Sequence, residues 1–421
     1  MSTALPNRRS WLADAVPTPA AWVGLAFLAA AFGLGRLGLP DVLQLAVAVG
    51  SAAVGVWILL RHRPSDLAVG LGIVVALAMA VPALLGLASG QPILLSQLSF
   101  AIAIGVSVWA AALLPPATVR WSSIGVLSLV CWAGIAAGIL AELGLFSYGL
   151  YVDPAQDRAL FGLDQLRGVM PHPNTMGIFA GLAFALALRQ LVTDRQEGLH
   201  DRRRFLGLLL LALLPAALAL IWSQSRTSAV AAGCGVVVGL LPLSRKGWHY
   251  AAPVIVAVAG LMITVPVIIS ESLGSDFNGR GMPWTIAQTD FELSPITGGG
   301  PRFLSAWYEI YPNLPWRPET AHNMLMQAVG EAGLLGLITL ALLILTMGYV
   351  AVRAVPFDKQ WAMIIVVTFC LLGGQESTLS LPVRSALVVQ FAILGASAVL
   401  VSRGSGSEDN DRTAPAAHRA A

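Results

Sequence analysis

A run of eighteen uncharged residues determines the class of structure for this chain. Residues 205–222 read FLGLLLLALLPAALALIW, with three arginines before them and the polar stretch 223–228 after them. An α-helix needs about 20 mostly apolar residues to cross the hydrocarbon core of a bilayer. Further runs of about this length follow one another along the chain, so the sequence predicts a protein that crosses a membrane many times.

The overall composition supports this prediction. Of the 421 residues, 57% are hydrophobic and 11% are charged, and the mean hydropathy is +0.76. A soluble globular protein carries about 25% charged residues, so a soluble enzyme, a disordered scaffold and a fibrous protein are excluded. The net charge of +3 is small, and basic residues in such a chain mostly report topology, not nucleic-acid binding. The three cysteines lie inside apolar runs and are interpreted as small buried side chains.

The apolar runs predict an all-α membrane protein with about 12 transmembrane helices. The predicted spans are 20–39, 41–60, 67–88, 93–114, 121–141, 171–191, 205–222, 226–243, 250–270, 322–352, 360–376 and 383–402. With a cytoplasmic N-terminus, 17 of the 25 basic residues fall on the inner side, as the positive-inside rule requires. Both ends are therefore predicted to be cytoplasmic. Arg8 and Arg9 are interpreted as the flank of an uncleaved first helix, with a twin-arginine export signal as the alternative.

The predicted organisation has five parts. A cytoplasmic N-terminus (1–19) precedes transmembrane helices 1–9 (20–270), a periplasmic loop (271–321), helices 10–12 (322–402) and a disordered cytoplasmic tail (403–421). The loop is rich in tryptophan, tyrosine, phenylalanine and proline, which makes it too aromatic for a disordered tether. We therefore expect a large ordered lid between helices 9 and 10.

The basic residues left on the outer side are the first indication of a functional site. An arginine at the centre of a membrane helix costs at least about 2.5–3.5 kcal/mol, so its default interpretation is functional. Arg226 lies in the polar stretch 223–228 and is predicted to begin a helix, where backbone N–H groups and the helix dipole favour an anion. This pattern predicts a phosphate site. The alternative is a turn whose arginine reaches the lipid headgroups.

Two further arginines extend this predicted anion site. Arg280 lies between glycines in the sequence NGRGMPW, where the backbone can approach a ligand closely and a guanidinium can bind phosphate bidentately. Arg167 precedes the Pro-His-Pro-Asn motif of residues 171–174 and is a candidate further contact. For His172 and Asn174 two interpretations stay open, a helix cap with a turn or a supporting role in the site.

The sequence ETAHN opens the tenth predicted span and carries the candidate catalytic residue. Thr320 is predicted to cap the helix, which puts His322 in its first turn. The positive helix end disfavours protonation there, leaving a neutral imidazole that can act as a general base. Asn323, Gln327 and Glu331 follow on one helical arc and predict a polar stripe that faces the bundle.

No motif predicts a metal or another cofactor. The sequence contains no His/Cys spacing for zinc and no P-loop. Asp409-Asn410-Asp411 matches an acidic metal motif, but it lies in the predicted cytoplasmic tail. The glycine run 298–300 before Pro301 can cradle an oxyanion, although such a run is more often a hinge.

Together these motifs resemble the O-antigen ligase and O-antigen polymerase family of polytopic bacterial membrane glycosyltransferases. Pro-His-Pro-Asn, Ser-Arg-Thr-Ser, Gly-Arg-Gly-x-x-Trp, Ala-His-Asn-x-x-Met-Gln and Glu-x-Gly-x-x-Gly occur in this order within residues 165–345. The resemblance implies metal-independent, inverting transfer of a glycan from an undecaprenyl-diphosphate carrier. It also implies that the protein resides in the bacterial inner membrane, with its active site facing the periplasm.

The resemblance further implies roles for the candidate residues. His322 would be the base that activates the acceptor hydroxyl, while Arg226 and Arg280 would bind the diphosphate and Arg167 would add a further contact. Arg302 is an additional arginine in the loop that the family pattern does not include. Which loop arginine touches phosphate therefore stays open.

Three functions are compatible with these features. A ligase would transfer a finished glycan to an acceptor such as lipid A–core, and a polymerase of O-antigen or exopolysaccharide would use the same donor. The sequence does not separate these two. A transporter or flippase of an anionic lipid-linked glycan is the alternative from a different class. It would need the arginines but no base, and would have pseudo-symmetric halves with broken helices. No internal repeat is visible, so a transferase is favoured.

Overall fold

The computed structural model describes residues 41–62, 64–88, 95–151, 164–170, 172–198, 201–240, 281–310, 320–358, 360–374 and 384–413. Its helices are α1 (Asp41–Arg61), α2 (Asp66–Ala88), α3 (Leu95–Ala112), α4 (Pro116–Glu142), α5 (Pro173–Gln196), α6 (Arg202–Leu208), a π-helical turn (Leu209–Leu213), α7 (Leu214–Ser223), α8 (Arg226–Leu240), α9 (Gly281–Leu293), α10 (Phe303–Ile310), α11 (Met324–Asp358), α12 (Trp361–Gly373) and α13 (Arg384–Thr413). Two short strands, β1 (Leu150–Tyr151) and β2 (Gln165–Leu166), pair antiparallel.

The predicted helical membrane fold is confirmed in its class. Six segments of the described chain are long and apolar enough to cross a membrane: Asp66–Gly86, Pro116–Glu142, Pro173–Gln196, Arg202–Ser223, Met324–Asp358 and Ala386–Arg403. Shorter apolar helices coincide with four more predicted spans: Val49–Arg61, Gln97–Ala112, Arg226–Leu240 and Trp361–Gly373. The predicted spans 20–39 and 250–270 lie outside the described residues, so the total of twelve stays a prediction.

Helix α12 lies at the centre of the bundle. All of its residues, Trp361–Gly373, are buried, and a helix that is apolar all round is one that other helices surround. Glycines of α8 let the two helices approach closely. A Cβ on Gly235 would lie 2.9 Å from Thr368 Cγ2, and a Cβ on Gly239 would lie 2.9 Å from Ile364 Cδ1. Larger side chains at these positions would push α8 away from α12.

The same contacts show that α8 and α12 run antiparallel. Arg226, which starts α8, and Gly373, which ends α12, therefore lie at one end of the bundle, here called the upper end. The start of α11 reaches this end too, because Asn323 Nδ2 donates to the Gly374 carbonyl oxygen at 3.0 Å. The candidate residues Arg226 and His322, 96 positions apart in the chain, are thus at the same end of the molecule.

The short hairpin and the start of α5 also belong to the upper end. A Cβ on Gly177, in the second turn of α5, would lie 2.5 Å from Ser225 Cβ. Trp222 Nε1 in the last turn of α7 donates to the Asp164 carbonyl oxygen at 3.1 Å. These contacts bring the segment that carries Arg167 next to the turn before Arg226.

Helix α11 is broken at Gly333, whose φ of 56° and ψ of −138° lie in a region that residues with a Cβ rarely adopt. The segment 295–300 fills the break. Its last two N–H groups donate to the carbonyl oxygens of Gly330 and Glu331, at 2.8 and 3.1 Å, and its first two carbonyls accept from the N–H groups of residues 334–335, at 2.8 and 3.2 Å. Both halves of α11 are therefore capped by backbone from the predicted loop.

The glycine run 298–300 thus occupies the break in α11. Its N–H groups all donate to backbone carbonyls, so they do not form the oxyanion cradle considered from the sequence. Glycine is required at Gly298 because φ is 65° and a Cβ would lie 2.6 Å from Ala332 N. The segment packs into α11 instead of acting as a hinge.

The opposite, lower end is held together by Asp358. Its fully buried carboxylate accepts from two backbone N–H groups at the start of α12, at 3.0 and 2.8 Å, and from Ser397 Oγ at 2.8 Å. Arg120 of α4 donates to the carbonyl oxygen of Asp358 at 3.2 Å. These four hydrogen bonds join α4, α11, α12 and α13.

Helix α13 continues to Thr413, whereas the sequence predicts disorder from residue 403. A helix that has already formed adds each further residue without a new nucleation cost, so the apolar span can extend into a polar segment. Residues 414–421 lie outside the described residues, and there the disordered tail stays a prediction.

Candidate functional site

Arg226 is the first residue of α8 and is exposed at the upper end. Gln224, in the left-handed region with φ 56°, ends α7, and the Ser225 carbonyl accepts the first α8 hydrogen bond from Ala229 N at 3.0 Å. The earlier N–H groups of the first turn have no acceptor within the helix. A guanidinium and a helix start therefore occur together, as the predicted anion site requires.

Arg167 is half-buried beside the hairpin. Its guanidinium lies over the ring of Tyr148, with Cζ 3.7 Å from the ring centroid, and its backbone N donates to the Gly149 carbonyl oxygen at 3.2 Å. The buried Nε has no hydrogen bond to the described residues. The stacking orients the cation, so Arg167 is a pre-oriented positive group near the turn before Arg226.

His172 is the N-cap of α5. Its Nδ1 accepts from Asn174 N at 3.1 Å, and its ring centroid lies 5.3 Å from that of Tyr151. Accepting this bond requires an unprotonated Nδ1. The structure therefore shows His172 and Asn174 in a helix cap, one of the two interpretations that the sequence left open. Their supporting role in the site stays a prediction.

His322 lies just before α11, not in its first turn. The N-cap is Asn323, whose Oδ1 accepts from Leu325 N at 2.9 Å and from Met326 N at 3.0 Å. Thr320, the predicted cap, instead accepts a hydrogen bond from His322 N at 3.4 Å. The predicted cap was wrong because Thr and Asn both suit this position, and the bond from Asn323 to Gly374, just after α12, favours Asn323.

The turn that contains His322 is held by neighbouring side chains. Ala321 N donates to Gln327 Oε1 at 2.7 Å, and the Ala321 carbonyl oxygen accepts from Trp284 Nε1 at 2.7 Å. Gln327 Nε2 donates to Glu331 Oε1 at 2.6 Å. His322 itself has a φ of 49°, which is uncommon for a residue with a Cβ. The predicted polar stripe therefore exists, and its middle member, Gln327, accepts from the backbone N–H of Ala321 beside His322.

Asp290 in α9 is a buried carboxylate that the sequence analysis missed. Its Oδ1 accepts from Trp307 Nε1 at 3.1 Å, and its buried Oδ2 has no hydrogen bond to the described residues. Burial raises the pKa of Asp290, and the Trp307 hydrogen bond opposes part of that rise. The sequence could have indicated a buried carboxylate here, because Asp290 is an acidic residue among the aromatic residues of the predicted lid.

Of the two candidate arginines in the predicted loop, Arg302 lies within the described residues and Arg280 does not. Arg302 is exposed and precedes Phe303, whose ring packs against Gly330 in the first half of α11. Arg280 immediately precedes α9 and lies outside the described residues, so its phosphate contact stays a prediction. The described part of the predicted lid packs on the same half of α11 that His322 precedes.

Among the described residues, no group of three or more His, Cys, Asp or Glu side chains could hold a metal ion. A cavity of about 20 Å³ between α2, α3 and α11 is lined by Gln97, Gln327, Glu331 and Thr339 among others. That volume is about enough for one water molecule, so a glycan does not fit there.

These observations define a class of protein. The chain is a multi-pass helical membrane protein with an arginine at a helix start and a histidine in a strained turn at the same end, beside a segment packed into a broken helix.

The comparison with protein families then gives a match over part of the chain. The O-Antigen ligase family model matches residues 209–341, from the π-helical turn to the second half of α11. The predicted resemblance to the O-antigen ligase family is thereby confirmed. The matched range includes Arg226, Arg280 and His322, whereas Arg167 and His172 precede it.

A curated relative gives a second, weaker match. The Exopolysaccharide production protein ExoQ of Rhizobium meliloti (strain 1021) is 28% identical over 237 residues. The aligned part covers 51% of this chain and 51% of that protein. The chain therefore spans about half the length of the curated relative that it matches.

Proposed function

We propose that this protein is an O-antigen ligase-like glycosyltransferase. It transfers a glycan from an undecaprenyl-diphosphate carrier to an acceptor hydroxyl, such as one of lipid A–core, at the periplasmic face of the bacterial inner membrane. The observation that carries the proposal is the left-handed turn of His322 at the end of the bundle where Arg226 starts α8. A proton acceptor and a cation are the two groups that a metal-independent transfer requires.

In the proposed reaction, His322 removes the proton of the acceptor hydroxyl while the hydroxyl oxygen attacks the anomeric carbon of the glycan. The new C–O bond forms opposite the leaving group, so the configuration inverts. The bond between the anomeric carbon and the diphosphate oxygen breaks, and its electron pair leaves with the diphosphate. The carrier lipid therefore gains one negative charge, and His322 gains one positive charge.

The arginines act on the charge that develops on the diphosphate. Arg226 and Arg280 bind its oxygens, and Arg167, oriented by Tyr148, adds a third contact. A guanidinium fork matches two phosphate oxygens at once, and a group that is already oriented needs no rearrangement in the transition state. This arrangement supplies the electrostatic stabilisation that a metal ion provides in other transferases.

The test uses the purified full chain with an undecaprenyl-diphosphate-linked glycan and a lipid A–core acceptor. His322→Ala should lower the transfer rate by about 10²–10⁴-fold, the usual contribution of a general base, and should retain donor binding. Arg226→Ala should weaken donor binding, and Arg226→Lys should restore only part of it, because a point charge replaces a bidentate fork. Arg195→Ala, which removes an exposed cation at the far end of α5, is the matched control and should change neither.

Two results would contradict the assignments. Near wild-type transfer by His322→Ala would show that another group is the base. Unchanged donor binding by both Arg226→Ala and Arg280→Ala would exclude the proposed diphosphate contacts.

The second candidate is a polymerase of O-antigen or exopolysaccharide with the same donor. The similarity to an exopolysaccharide production protein favours it. A deletion strain separates the two, because loss of a ligase leaves long unattached chains on the carrier, whereas loss of a polymerase leaves single repeat units.

A transporter of the lipid-linked glycan is supported by one observation, the broken helix α11, since broken helices form substrate sites in transporters. Backbone of residues 295–300 occupies the polar groups at this break, which leaves them unavailable to a substrate. Translocation of the donor in proteoliposomes without an acceptor would favour this class over a transferase.

A further inference from the structure

Ala321, which directly precedes His322, is contacted by side chains of both α9 and α11. It is fully buried, and both of its backbone polar groups bind side chains rather than a neighbouring strand or helix. Its N–H donates to Gln327 Oε1 and its carbonyl oxygen accepts from Trp284 Nε1, both at 2.7 Å. The peptide units on either side of Ala321 are therefore fixed by two side chains from different elements.

Trp284 supplies the contact from the lid. It lies in the first turn of α9, is 2% exposed, and packs with Phe303 and Met326 in a small apolar cluster. It follows Arg280 by four residues in the chain. Its indole N–H thus links α9 to the turn that carries the proposed base.

Gln327 supplies the contact from the opposite side. It lies in the first turn of α11, and both polar atoms of its side-chain amide are hydrogen-bonded. Oε1 accepts from Ala321 N, and Nε2 donates to Glu331 Oε1 at 2.6 Å. Glu331 therefore sets which way the amide of Gln327 faces, because a carboxylate oxygen accepts but does not donate. The Gln327–Glu331 pair presents an acceptor, and not a donor, to the backbone before His322.

We propose that Trp284 and the Gln327–Glu331 pair are positioning residues for His322. They hold the left-handed backbone at His322 from two sides, and so keep the imidazole aimed at the acceptor hydroxyl without touching the substrate. Strained backbone conformations persist only where the surroundings over-determine them. The two bonds to Ala321 belong to those surroundings, together with the bond from His322 N to Thr320 Oγ1. This inference rests on the proposed function, in which His322 is the base.

The first test compares Trp284→Phe with Trp307→Phe. Each substitution removes one indole N–H from the lid and keeps an aromatic ring, but Trp307 donates to Asp290 and Trp284 to Ala321. A displacement of about 1 Å in a reacting group can cost about 10²-fold in rate. We expect Trp284→Phe to lower kcat by about 10–100-fold with unchanged KM and Kd for the donor, and Trp307→Phe to keep kcat near wild type. Equal kcat values for the two variants would overturn the role of Trp284.

The second test exchanges the members of the polar pair. Gln327→Leu removes both hydrogen bonds and should lower kcat as Trp284→Phe does. The double variant Gln327→Glu/Glu331→Gln keeps an acceptor for Ala321 N and remakes the bond between the two side chains with the donor reversed. It should recover most of the activity. A double variant as inactive as Gln327→Leu, with wild-type donor binding, would show that Glu331 has a role other than positioning.

Failure of this inference and failure of the proposed function give different results. If His322→Ala is active, the base assignment fails, whatever Trp284→Phe does. If His322→Ala is inactive while Trp284→Phe and Gln327→Leu both bind donor and keep full kcat, only the positioning inference fails. Adding Trp284→Phe to His322→Ala should lower the residual rate no further, because Trp284 acts through His322.

Discussion

Single residues of the predicted lid differ in how well their buried polar groups are satisfied. The carbonyl oxygen of Ala321 has a strong donor in Trp284, whereas among the described residues Asp290 has a donor for Oδ1 but none for its buried Oδ2. A buried carboxylate without enough donors favours its neutral form, which is why the pKa of Asp290 is raised. We therefore expect Asp290 to make the stability of the predicted lid depend on pH.

We expect Asp290→Asn to stabilise the lid at neutral pH. The pKa of Asp290 is 3.8 in a reference peptide and higher in the folded protein. The wild type is therefore favoured while the carboxyl is protonated, and it loses stability as pH rises from the unfolded towards the folded pKa. Asn has nearly the same shape and cannot ionise, so the variant should resist proteolysis within the lid better than wild type at pH 7.5, with a smaller difference at pH 4.

Glu292→Gln is the matched control for this prediction. Glu292 is an exposed acid on the same helix, so its substitution should leave the pH dependence unchanged. Equal proteolysis rates of Asp290→Asn and wild type at pH 7.5 would contradict the prediction.

Residue-scale predictions from the sequence succeeded where the local pattern was sufficient. Arg226 begins a helix as predicted, because the polar stretch 223–228 interrupts two apolar runs. The cap before α11 was predicted three residues too early, since Thr320 and Asn323 have similar local preferences. Asn323 is favoured by its bond to Gly374, 51 positions away, which no local pattern contains.

Among the elements, the broken helix α11 depends most on the rest of the chain. Its first half carries Gln327 and Glu331, and its second half continues to Asp358. The break at Gly333 is stable because the segment 295–300 satisfies the exposed backbone groups, which would otherwise be costly in a membrane. From sequence the tenth span was predicted as one continuous run, since the apolar pattern does not change at the break.

Gly333→Ala should destabilise the protein by about 1–3 kcal/mol, the usual cost of a sparsely populated backbone conformation. The added Cβ would also lie 2.6 Å from the Pro295 carbonyl oxygen, which would force the segment out of the break. Gly348→Ala is the control in the same helix, because nothing lies within 4 Å of its Cβ position. It should be neutral or stabilising by up to about 1 kcal/mol. Thermal unfolding in detergent measures both, and similar melting temperatures would refute this account of the break.

On the scale of the whole molecule, the two ends of the bundle carry different groups of polar residues. The upper end carries Arg226, Arg167 and the His322 turn, whereas the lower end carries the buried Asp358 network. The buried helix α12 connects them and spans about 20 Å, at about 1.5 Å per residue. Function and fold stability should therefore be separable by substitution at one end or the other.

Asp358→Ala should destabilise the bundle without changing donor affinity in the protein that remains folded. The substitution removes three hydrogen bonds and leaves buried N–H groups unpaired, which costs about 3 kcal/mol or more. Ser397→Ala removes one of these bonds and should cost about 1 kcal/mol. Thermal inactivation in detergent measures stability, and donor binding is measured on the monodisperse fraction. A large loss of donor affinity in that fraction would show that the two ends are coupled.

The sequence by itself determined the membrane class, the positions of ten predicted spans, the start of α8 at Arg226 and the resemblance to the O-antigen ligase family. These follow from local composition and order, because a bilayer requires long apolar helices and tolerates charge at few places. Only the tertiary structure decided the cap at Asn323, the break at Gly333, the cap role of His172 and the contacts of Trp284 and Gln327 with Ala321. Each of these features depends on a hydrogen-bond partner or on a backbone conformation. Both are set only when separate segments of the chain, or the two sides of a turn, pack together.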